Sequence, residues 1–250
     1  VGPRAAAAAA VVVPCRRVAD DVLARGVVPA RRLHVAPLGA DHVDPTPRPD
    51  DGARRADQLA RCGLTPGART VLVLGTREPR KNQAAVLEAF LARPPGDEQL
   101  VFVGAPGWGV PDLEASLTRV AATPQRPDPS ARVAVLGALG EQDLGAWLRG
   151  ASVVAYPSLA EGFGLPVVEA LRCGRPVLTS RGTPMADLGG EAVLAVDPTD
   201  GGALSRGLGR LLDDEQLAAE LAAAGPDRVA ALSWDSHAEA LESVFRAAVS

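Results

Sequence analysis

The stretch SLAEGFGLPVVEALRCGRPVLTS, residues 158–180, is the part of this chain that best predicts its fold. It holds two carboxylates, Glu161 and Glu169, with a Gly-x-Gly turn and a proline between them. Pro166 suits the first residue of a helix, because its missing N–H would have no partner there. Glu169 is then expected in the first helical turn, and Glu161 on the loop before it. The stretch therefore predicts a loop-to-helix junction that carries a carboxylate on each side.

The same junction has the features of an anion site. Gly162 and Gly164 let the backbone approach a ligand without an intervening Cβ. The N–H groups of Gly164, Leu165 and Val167 are expected to point out of the helix N-terminus, where anions are stabilised. A bound phosphate would repel the nearby carboxylates unless these face neutral groups, and sugar hydroxyls are such groups. The junction therefore predicts a nucleotide-sugar site.

The sequence EGFGLPVVEAL, residues 161–171, resembles the Glu-x7-Glu motif of retaining GT-B glycosyltransferases of the family 4, group 1 type. That group includes bacterial mannosyl- and glucosyltransferases. The resemblance covers roughly residues 33–250 and implies the C-terminal, donor-binding half of a GT-B fold. Further blocks follow the order found in the family: GTREPRKNQAAVLEAF at 75–90, LVFVGAPGWG at 100–109, RVAVLGAL at 132–139 and AVLAVDPTD at 192–200.

Length and composition fit this assignment. The 250 residues are enough for a large α/β core; apolar residues make up 47% of the chain and aromatic residues only 3% of it. A net charge of −4 argues against nucleic acid as a partner, since phosphate neutralisation needs clustered Lys and Arg. Cys15, Cys62 and Cys173 are far apart, which is typical of reduced thiols in a cytosolic protein.

The localisation expected from the sequence is cytoplasmic, at most with peripheral contact at the inner face of the membrane. The longest apolar run, residues 5–13, is far shorter than the roughly 20 residues that a membrane-spanning helix needs. We interpret it as a helix end followed by a short buried strand, Val11–Val13.

Apolar runs alternate with helical patterns along the chain, which predicts a parallel sheet covered on both faces, the doubly wound Rossmann-like form. The predicted strands after Val11–Val13 are Leu33–Ala36, Thr70–Gly75, Leu100–Gly104, Arg132–Gly137, Ser152–Tyr156, Pro176–Ser180 and Ala192–Val196. The predicted helices are Asn82–Ala92, Pro111–Ala122, Glu141–Arg149, Pro166–Cys173, Thr183–Leu188, Gly201–Leu212, Glu215–Ala224 and Asp235–Ala248.

Four segments are expected along the chain. Residues 1–43 resemble the end of an N-terminal, acceptor-binding Rossmann domain, most of which is absent from this sequence. A Pro-, Asp- and Arg-rich linker, 44–57, follows. Residues 58–232 are expected to form the nucleotide-sugar-binding domain, and 233–250 a helix that returns to the first domain. We therefore expect the chain alone to be inactive.

The resemblance implies roles for the residues of the junction. Glu161 accepts hydrogen bonds from the transferred sugar, and Glu169 from the nucleotide ribose. The backbone amides of residues Gly162, Phe163, Gly164 and Leu165 hold the sugar and the diphosphate. A purely structural interpretation would make Glu169 a stabiliser of the helix N-terminus and Glu161 a solvated loop residue.

Lys81 follows the predicted strand Thr70–Gly75, at the sheet edge where open α/β sheets bind ligands. A departing nucleoside diphosphate gains negative charge, which a positioned lysine stabilises. Related enzymes often have an arginine five residues earlier, where this chain has Thr76. The second cation is therefore either Arg77 or Arg80, and the sequence leaves both open.

The remaining positions are predicted less specifically. Asn82 is expected to cap the following helix. The nucleobase is placed either against the loop from Gly104 to Gly109 or against Gly137–Leu139, and Trp108 either packs or contacts ligand. Asp187 stands where the family usually has Glu, and is most simply a surface residue. None of the three histidines shows a catalytic pattern.

The resemblance implies transfer of a hexose, of mannose or glucose type, from a nucleoside-diphosphate sugar to a hydroxyl acceptor with retention. The acceptor is a glycan, lipid or small molecule. The segment EPRKN, residues 78–82, resembles mannosyltransferases that use GDP-mannose. No cofactor and no metal are implied, since Asp-x-Asp is missing. Two alternatives remain: a non-catalytic nucleotide-sugar-binding fragment, and a sugar-nucleotide epimerase or phosphorylase on the GT-B fold.

Overall fold

The computed structural model describes residues 3–121 and 132–249. Within these ranges the chain forms two parallel sheets, one of two strands and one of six. No helix in the described ranges is long and apolar enough to cross a lipid bilayer. Ala122, the last residue of one predicted helix, lies outside the described residues.

Strands and helices are numbered in chain order. The strands are β1 Val11–Val13, β2 Leu33–Val35, β3 Thr70–Leu74, β4 Gln99–Val103, β5 Val133–Leu136, β6 Val153–Tyr156, β7 Val177–Ser180 and β8 Leu194–Val196. The helices are α1 Pro3–Ala7, α2 Arg16–Ala24, α3 Asp51–Arg61, α4 Gln83–Leu91, α5 Pro111–Ala121, α6 Glu141–Gly150, α7 Leu165–Arg172, α8 Pro184–Gly189, α9 Gly201–Asp213, α10 Glu215–Val229 and α11 Trp234–Val249.

The large sheet has the strand order β5-β4-β3-β6-β7-β8, and its neighbouring strands are parallel. This is the order of a doubly wound Rossmann sheet, in which the chain moves outward from β3 in one direction and from β6 in the other. The predicted fold class is therefore confirmed. Each predicted strand is present, with ends within two residues of the predicted ones.

The two faces of this sheet are buried in separate apolar clusters. Every residue of β3 is buried, with Leu72 and Leu74 in one cluster and Val71 and Val73 in the other. Successive side chains of a strand point to opposite faces, so a run of Val and Leu requires cover on both. Helices α3, α6, α7 and α8 supply one cluster, and α4, α5 and α9 supply the other.

Two segments differ from the sequence-based prediction. Helix α3 covers the second half of the predicted linker 44–57, and it packs against α6. A buried ion pair holds α3 against α6, since the Arg149 guanidinium donates to both carboxylate oxygens of Asp51 at 2.6 Å.

Helix α10 continues past its predicted end at Ala224 to Val229, with Pro226 inside it. Packing against α7 supports this extension, because a Cβ on Gly225 would lie 2.8 Å from a backbone oxygen of α7.

Residues 11–35 build the smaller sheet, in which β1 pairs with β2 and α2 lies between them in sequence. The segment after β2 then crosses to the start of α11, where Ala40 N–H donates to Leu232 O at 3.1 Å. The assignment of residues 1–43 and 233–250 to a different domain from 58–232 stays a prediction.

Candidate functional site

The candidate site lies at the carboxyl ends of β3 and β6, the two central strands of the large sheet. The loops that leave these strands run in opposite directions, which opens a crevice at this switch point. The β3 loop carries Arg80 and Lys81, and the β6 loop carries Glu161. The sheet order therefore brings together side chains that are eighty residues apart in sequence.

The β6–α7 loop turns sharply into its helix at Gly164, which has φ 98°. This conformation favours glycine, and a Cβ here would also collide with the Met185 side chain. The helix begins at Leu165, one residue before the predicted Pro166, and its first turn holds no acidic residue. The prediction that Glu169 lies in the first turn is therefore wrong: it lies one turn further into α7.

The amides at this helix start are only partly available to a ligand. Val167 N–H donates to Gly164 O at 2.9 Å, so the prediction that it points outward is wrong. The amides of Gly164 and Leu165 precede that first bond, as is usual at a helix N-terminus. On the loop, Gly162 O accepts a hydrogen bond from the Cys15 thiol at 3.2 Å.

Asn82 shapes the β3 loop. Its φ of 56° is left-handed, the one such value among the non-glycine residues that the structure describes. Its side chain does not cap α4 as predicted. Instead Asn82 Nδ2 donates to Pro157 O at 3.2 Å and to Pro198 O at 2.8 Å. The residue therefore ties the β3 loop to the loops that follow β6 and β8, and it fixes the backbone next to Lys81.

Three side chains converge on one carboxylate oxygen, Glu161 Oε1. Lys81 Nζ lies 2.6 Å from it, Arg80 Nη1 2.9 Å, and the Tyr156 hydroxyl 2.9 Å. Lys81 Nζ also donates to the Tyr156 hydroxyl. The side chains of Lys81 and Glu161 are each only 10% exposed. In this cation–carboxylate cluster, Lys81, Glu161 and Tyr156 are thus largely shielded from solvent, whereas Arg80 approaches the carboxylate from the exposed side.

This cluster shifts the titration of its acidic groups. Burial acts to raise the pKa of Glu161, but the hydrogen bond and charge of Lys81, together with Tyr156 and Arg80, hold it below its ordinary value. The pKa of the Tyr156 phenol is raised, first by burial and then by the Glu161 charge. At neutral pH Glu161 is therefore an ionised hydrogen-bond acceptor, and Tyr156 keeps its proton.

Comparison with known proteins identifies the family. The family model described as "Glycosyl transferases group 1" matches residues 56–228. The chain belongs to the group 1 glycosyltransferase family.

Relatives with curated names agree with this assignment. The O-antigen chain mannosyltransferase B of Escherichia coli is 32% identical over 168 residues, which cover 66% of this chain and 42% of that protein. The D-inositol 3-phosphate glycosyltransferase of Corynebacterium jeikeium is 32% identical over 222 residues, which cover 85% of this chain and 51% of that protein. This group 1 chain thus spans about half the length of the curated relatives it matches.

Solved structures show the same fold. A sucrose-phosphate synthase from Thermosynechococcus elongatus superposes with a TM-score of 0.74 at 28% identity, over 95% of this chain and 57% of that one. The six-stranded parallel sheet of this group 1 chain therefore matches that of GT-B glycosyltransferases.

The structure distinguishes the two arginines that the sequence left open. Arg80 contacts Glu161, whereas Arg77 Nε lies 3.3 Å from the Glu114 carboxylate on α5. Arg80, not Arg77, therefore shares the cluster with Lys81. Gly104 lies against the β3 loop, since a Cβ there would collide with Gly75 O. Backbone packing alone is enough to require a glycine at that position.

Three other residues singled out in the sequence lie outside the Lys81–Glu161 cluster. Phe163 is buried, at 4% exposure, so its side chain belongs to the core rather than to the crevice. Trp108 is 69% exposed, which excludes a core packing role. Asp187 pairs with Arg17 at 2.6 Å and thereby joins α8 to α2.

Two residues of the site, Tyr156 and His42, were not predicted from the sequence. Tyr156 ends the predicted strand Ser152–Tyr156, and its place at a carboxyl strand end was a signal that could have identified it. His42 lies 3.0 Å from Glu169, through Nε2 and Oε1, although 127 residues separate the two. No local pattern marks His42. Burial raises the pKa of Glu169, and the hydrogen bond from His42 partly opposes that rise.

Proposed function

We propose that this chain binds a nucleoside-diphosphate sugar at the switch point between β3 and β6. In the whole protein, the hexose is transferred to a hydroxyl acceptor with retention of configuration. One observation carries the proposal: a buried lysine and a buried carboxylate converge from the two central strands, with Lys81 Nζ 2.6 Å from Glu161 Oε1. Membership of the group 1 glycosyltransferases supports it.

The cations are assigned to the leaving group. As the sugar–phosphate bond loosens, negative charge grows on the departing nucleoside diphosphate, and preorganised donors stabilise it in a site with little water. Lys81 and Arg80 supply that charge from the β3 loop. The amides of Gly164 and Leu165 add neutral donors from the start of α7, where the helix dipole favours an anion.

The carboxylates are assigned to hydroxyl groups. Because the pKa of Glu161 is held low, the carboxylate accepts hydrogen bonds from the sugar at neutral pH. Glu169, one turn into α7, is assigned to the ribose. The reacting sugar passes through an oxocarbenium-like state, and the chain contributes orientation and charge stabilisation without a protein nucleophile.

A cavity of about 240 Å³ beside His42 is proposed to hold the nucleobase. It lies between the segment 42–48 and the start of α6, and its polar lining includes Arg48, Glu141 and Gln142. Its lining includes the start of α6, which follows the loop 137–139 in sequence, and this supports the second of the two positions left open by the sequence. Its contact with His42 also places it next to Glu169, where the ribose is assigned.

GDP-mannose is the proposed donor. The segment 78–82 supports it, and so does the similarity to an O-antigen chain mannosyltransferase. The acceptor is proposed to be a glycan, lipid or small-molecule hydroxyl, and the site of action the cytoplasm or the inner face of the membrane. No metal is needed in this proposal, since Lys81 and the helix amides provide the neutralisation.

Binding of nucleoside diphosphates tests the proposal directly. Isothermal titration calorimetry of the 250-residue chain with GDP, UDP and ADP should give heat with at least one of them. Lys81→Met should weaken that binding more than tenfold, since it removes a charge-assisted contact. Arg61→Met, on the exposed surface of α3, is the matched control and should bind like the wild type. No binding of any nucleotide at millimolar concentration would overturn the proposal.

The sequence allows a second, independent readout. Lys81 is the only lysine among the 26 Lys and Arg residues. An amine-reactive acylating reagent should therefore label Lys81 and the N-terminus alone, as peptide mass spectrometry can show. Saturating nucleotide should slow labelling at Lys81 and leave the N-terminus unaffected. If the whole protein then binds a sugar nucleotide but releases no nucleoside diphosphate with any acceptor, the non-catalytic alternative is correct.

A further inference from the structure

Beyond the roles above, we infer that His42 is a positioning residue for Glu169 and that Trp234 orients it. The inference rests on the proposed function, because it takes Glu169 as the acceptor for the nucleotide ribose. Three groups form a chain of hydrogen bonds: the Trp234 indole, the His42 imidazole and the Glu169 carboxylate. The donor and acceptor chemistry of the three groups indicates which ring nitrogen carries the hydrogen, and which carboxylate oxygen is left for a ligand.

The direction of the chain follows from the indole. Trp234 Nε1 can only donate, and it lies 3.1 Å from His42 Nδ1, so Nδ1 must accept. The hydrogen of a neutral imidazole then resides on Nε2. His42 Nε2, at 3.0 Å from Glu169 Oε1, therefore donates to the carboxylate. The indole fixes the tautomer that makes His42 a donor at this place.

Glu169 depends on this donor. Its side chain is 11% exposed, and among the residues that the structure describes, His42 is the group that donates to its carboxylate. The hydrogen bond uses Oε1, whereas no described residue donates to Oε2, which leaves that oxygen for a ribose hydroxyl. A glutamate side chain has three rotatable bonds, and fixing one oxygen fixes the direction of the other.

His42 is itself held in a firmly anchored segment. The backbone N–H of Trp234 donates to Asp41 Oδ1 at 2.8 Å, and the backbone N–H of Ala40 donates to Leu232 O at 3.1 Å. A Cβ on Gly39 would collide with the backbone nitrogen of Trp234, so the two segments are in direct backbone contact. The chain before His42 is thus held against the start of α11, and this contact fixes the position from which His42 reaches Glu169.

A positioning role and a merely structural role predict different ligand dependence. Loss of structure at His42 would weaken every ligand of the site alike. Loss of positioning would weaken ligands whose ribose carries the hydroxyls that Glu169 accepts more than ligands that lack them. The probe pair is therefore a nucleoside diphosphate that the wild-type chain binds and its 2′,3′-dideoxy analogue, which keeps the base and the diphosphate.

The experiment is calorimetric titration of both probes into the wild type and three variants of the 250-residue chain. The wild type should bind the ribose form about tenfold more tightly than the dideoxy form, the value of one hydrogen bond to a charged group. His42→Leu should lower this ratio to about twofold, because the ribose form loses more affinity than the dideoxy form. His42→Gln, which keeps an N–H donor and a carbonyl acceptor, should recover part of the ratio.

Trp234→Phe serves as the second test, because it keeps the ring at the start of α11 and removes only the N–H donor. It should lower the ratio, though less than His42→Leu does. Thermal unfolding of each variant checks that the fold is retained. Equal losses for both probes, or a ratio that His42→Leu leaves at the wild-type value, would overturn the inference while Lys81-dependent binding still supports the proposed function. If the wild type binds no nucleotide, both fall together.

Discussion

Replacing Lys81 with methionine tests the electrostatics of the site most directly. Methionine keeps the length and the apolar stem of the side chain and removes the ammonium group. Glu161 then remains in a position where its side chain is only 10% exposed, with Arg80 and Tyr156 as its remaining donors. The variant therefore isolates the contribution of one charge to a buried carboxylate.

The size of the effect can be estimated from the contacts that remain. Removing one partner of a buried ion pair costs about 3–5 kcal/mol. Arg80 Nη1 still lies 2.9 Å from Glu161 Oε1, but its side chain is 45% exposed and its charge is screened by solvent. We therefore expect Lys81→Met to lower the free energy of unfolding by about 2–3 kcal/mol at pH 7.5.

The loss of stability caused by Lys81→Met should depend on pH. The wild-type Glu161 has a lowered pKa, so it contributes stability above the pKa of the unfolded chain and loses it as the pH falls through the folded pKa. In the variant the burial that raises the pKa is no longer offset by Lys81. The ionised carboxylate then destabilises the fold at neutral pH, and protonation relieves that cost. The difference between the two proteins should thus shrink as the pH falls through the raised pKa of Glu161 in the variant, and should go on shrinking down to the lowered pKa of Glu161 in the wild type.

Urea unfolding followed by circular dichroism at pH 7.5 and pH 4 measures this difference. The double variant Lys81→Met/Glu161→Gln should recover about 1–2 kcal/mol relative to Lys81→Met, because it removes the uncompensated charge. Arg61→Met, at an exposed pair on α3, should stay within about 0.5 kcal/mol of the wild type. A cost that is the same at both pH values, or a double variant no more stable than the single one, would refute this account of the cluster.

Three other substitutions have defined outcomes. Tyr156→Phe should cost about 1 kcal/mol in urea unfolding, since it removes the hydroxyl that bridges Lys81 and Glu161. Asn82→Ala should cost about 1 kcal/mol more than Asn82→Gly, because both lose the side-chain bridges but only alanine is strained at φ 56°. Glu169→Gln should raise the melting temperature of the unliganded chain at pH 7.5, since a carboxyl with a raised pKa costs stability when ionised, yet it should weaken nucleotide binding.

The large sheet was predictable because its strands are buried on both faces. A run such as TVLVL in β3 has no polar face, and only a two-sided cover explains it. Helix α3 was not predictable in the same way. Its sequence DGARRADQLAR offers only Leu59 as a buried apolar side chain, and its N-terminus is held by Arg149, which lies 98 residues away from Asp51. Its helical state therefore depends on tertiary contacts that no local pattern records.

In the candidate site, too, some residues could be predicted from local sequence, whereas their contacts depend on tertiary structure. Lys81 and Glu161 could be singled out because each follows an apolar strand, at the edge where parallel sheets bind ligands. That these two meet each other required the pairing of β3 with β6, which the strand order decides. The contact of His42 with Glu169 could not be predicted from the sequence, because it depends on how the segment after β2 packs against α11.

The unliganded cluster also predicts how the two parts of a donor act on each other. Lys81 neutralises Glu161 in the free chain, so a diphosphate that attracts Lys81 leaves the buried carboxylate with fewer donors. A nucleoside diphosphate alone creates that deficit, whereas a nucleotide sugar supplies hydroxyl donors that remove it. The sugar nucleotide should therefore bind about tenfold more tightly than the nucleoside diphosphate. Glu161→Gln should reduce that preference to about twofold. Titration of both ligands into both proteins measures it, and an unchanged preference in Glu161→Gln would show that the sugar does not contact this carboxylate.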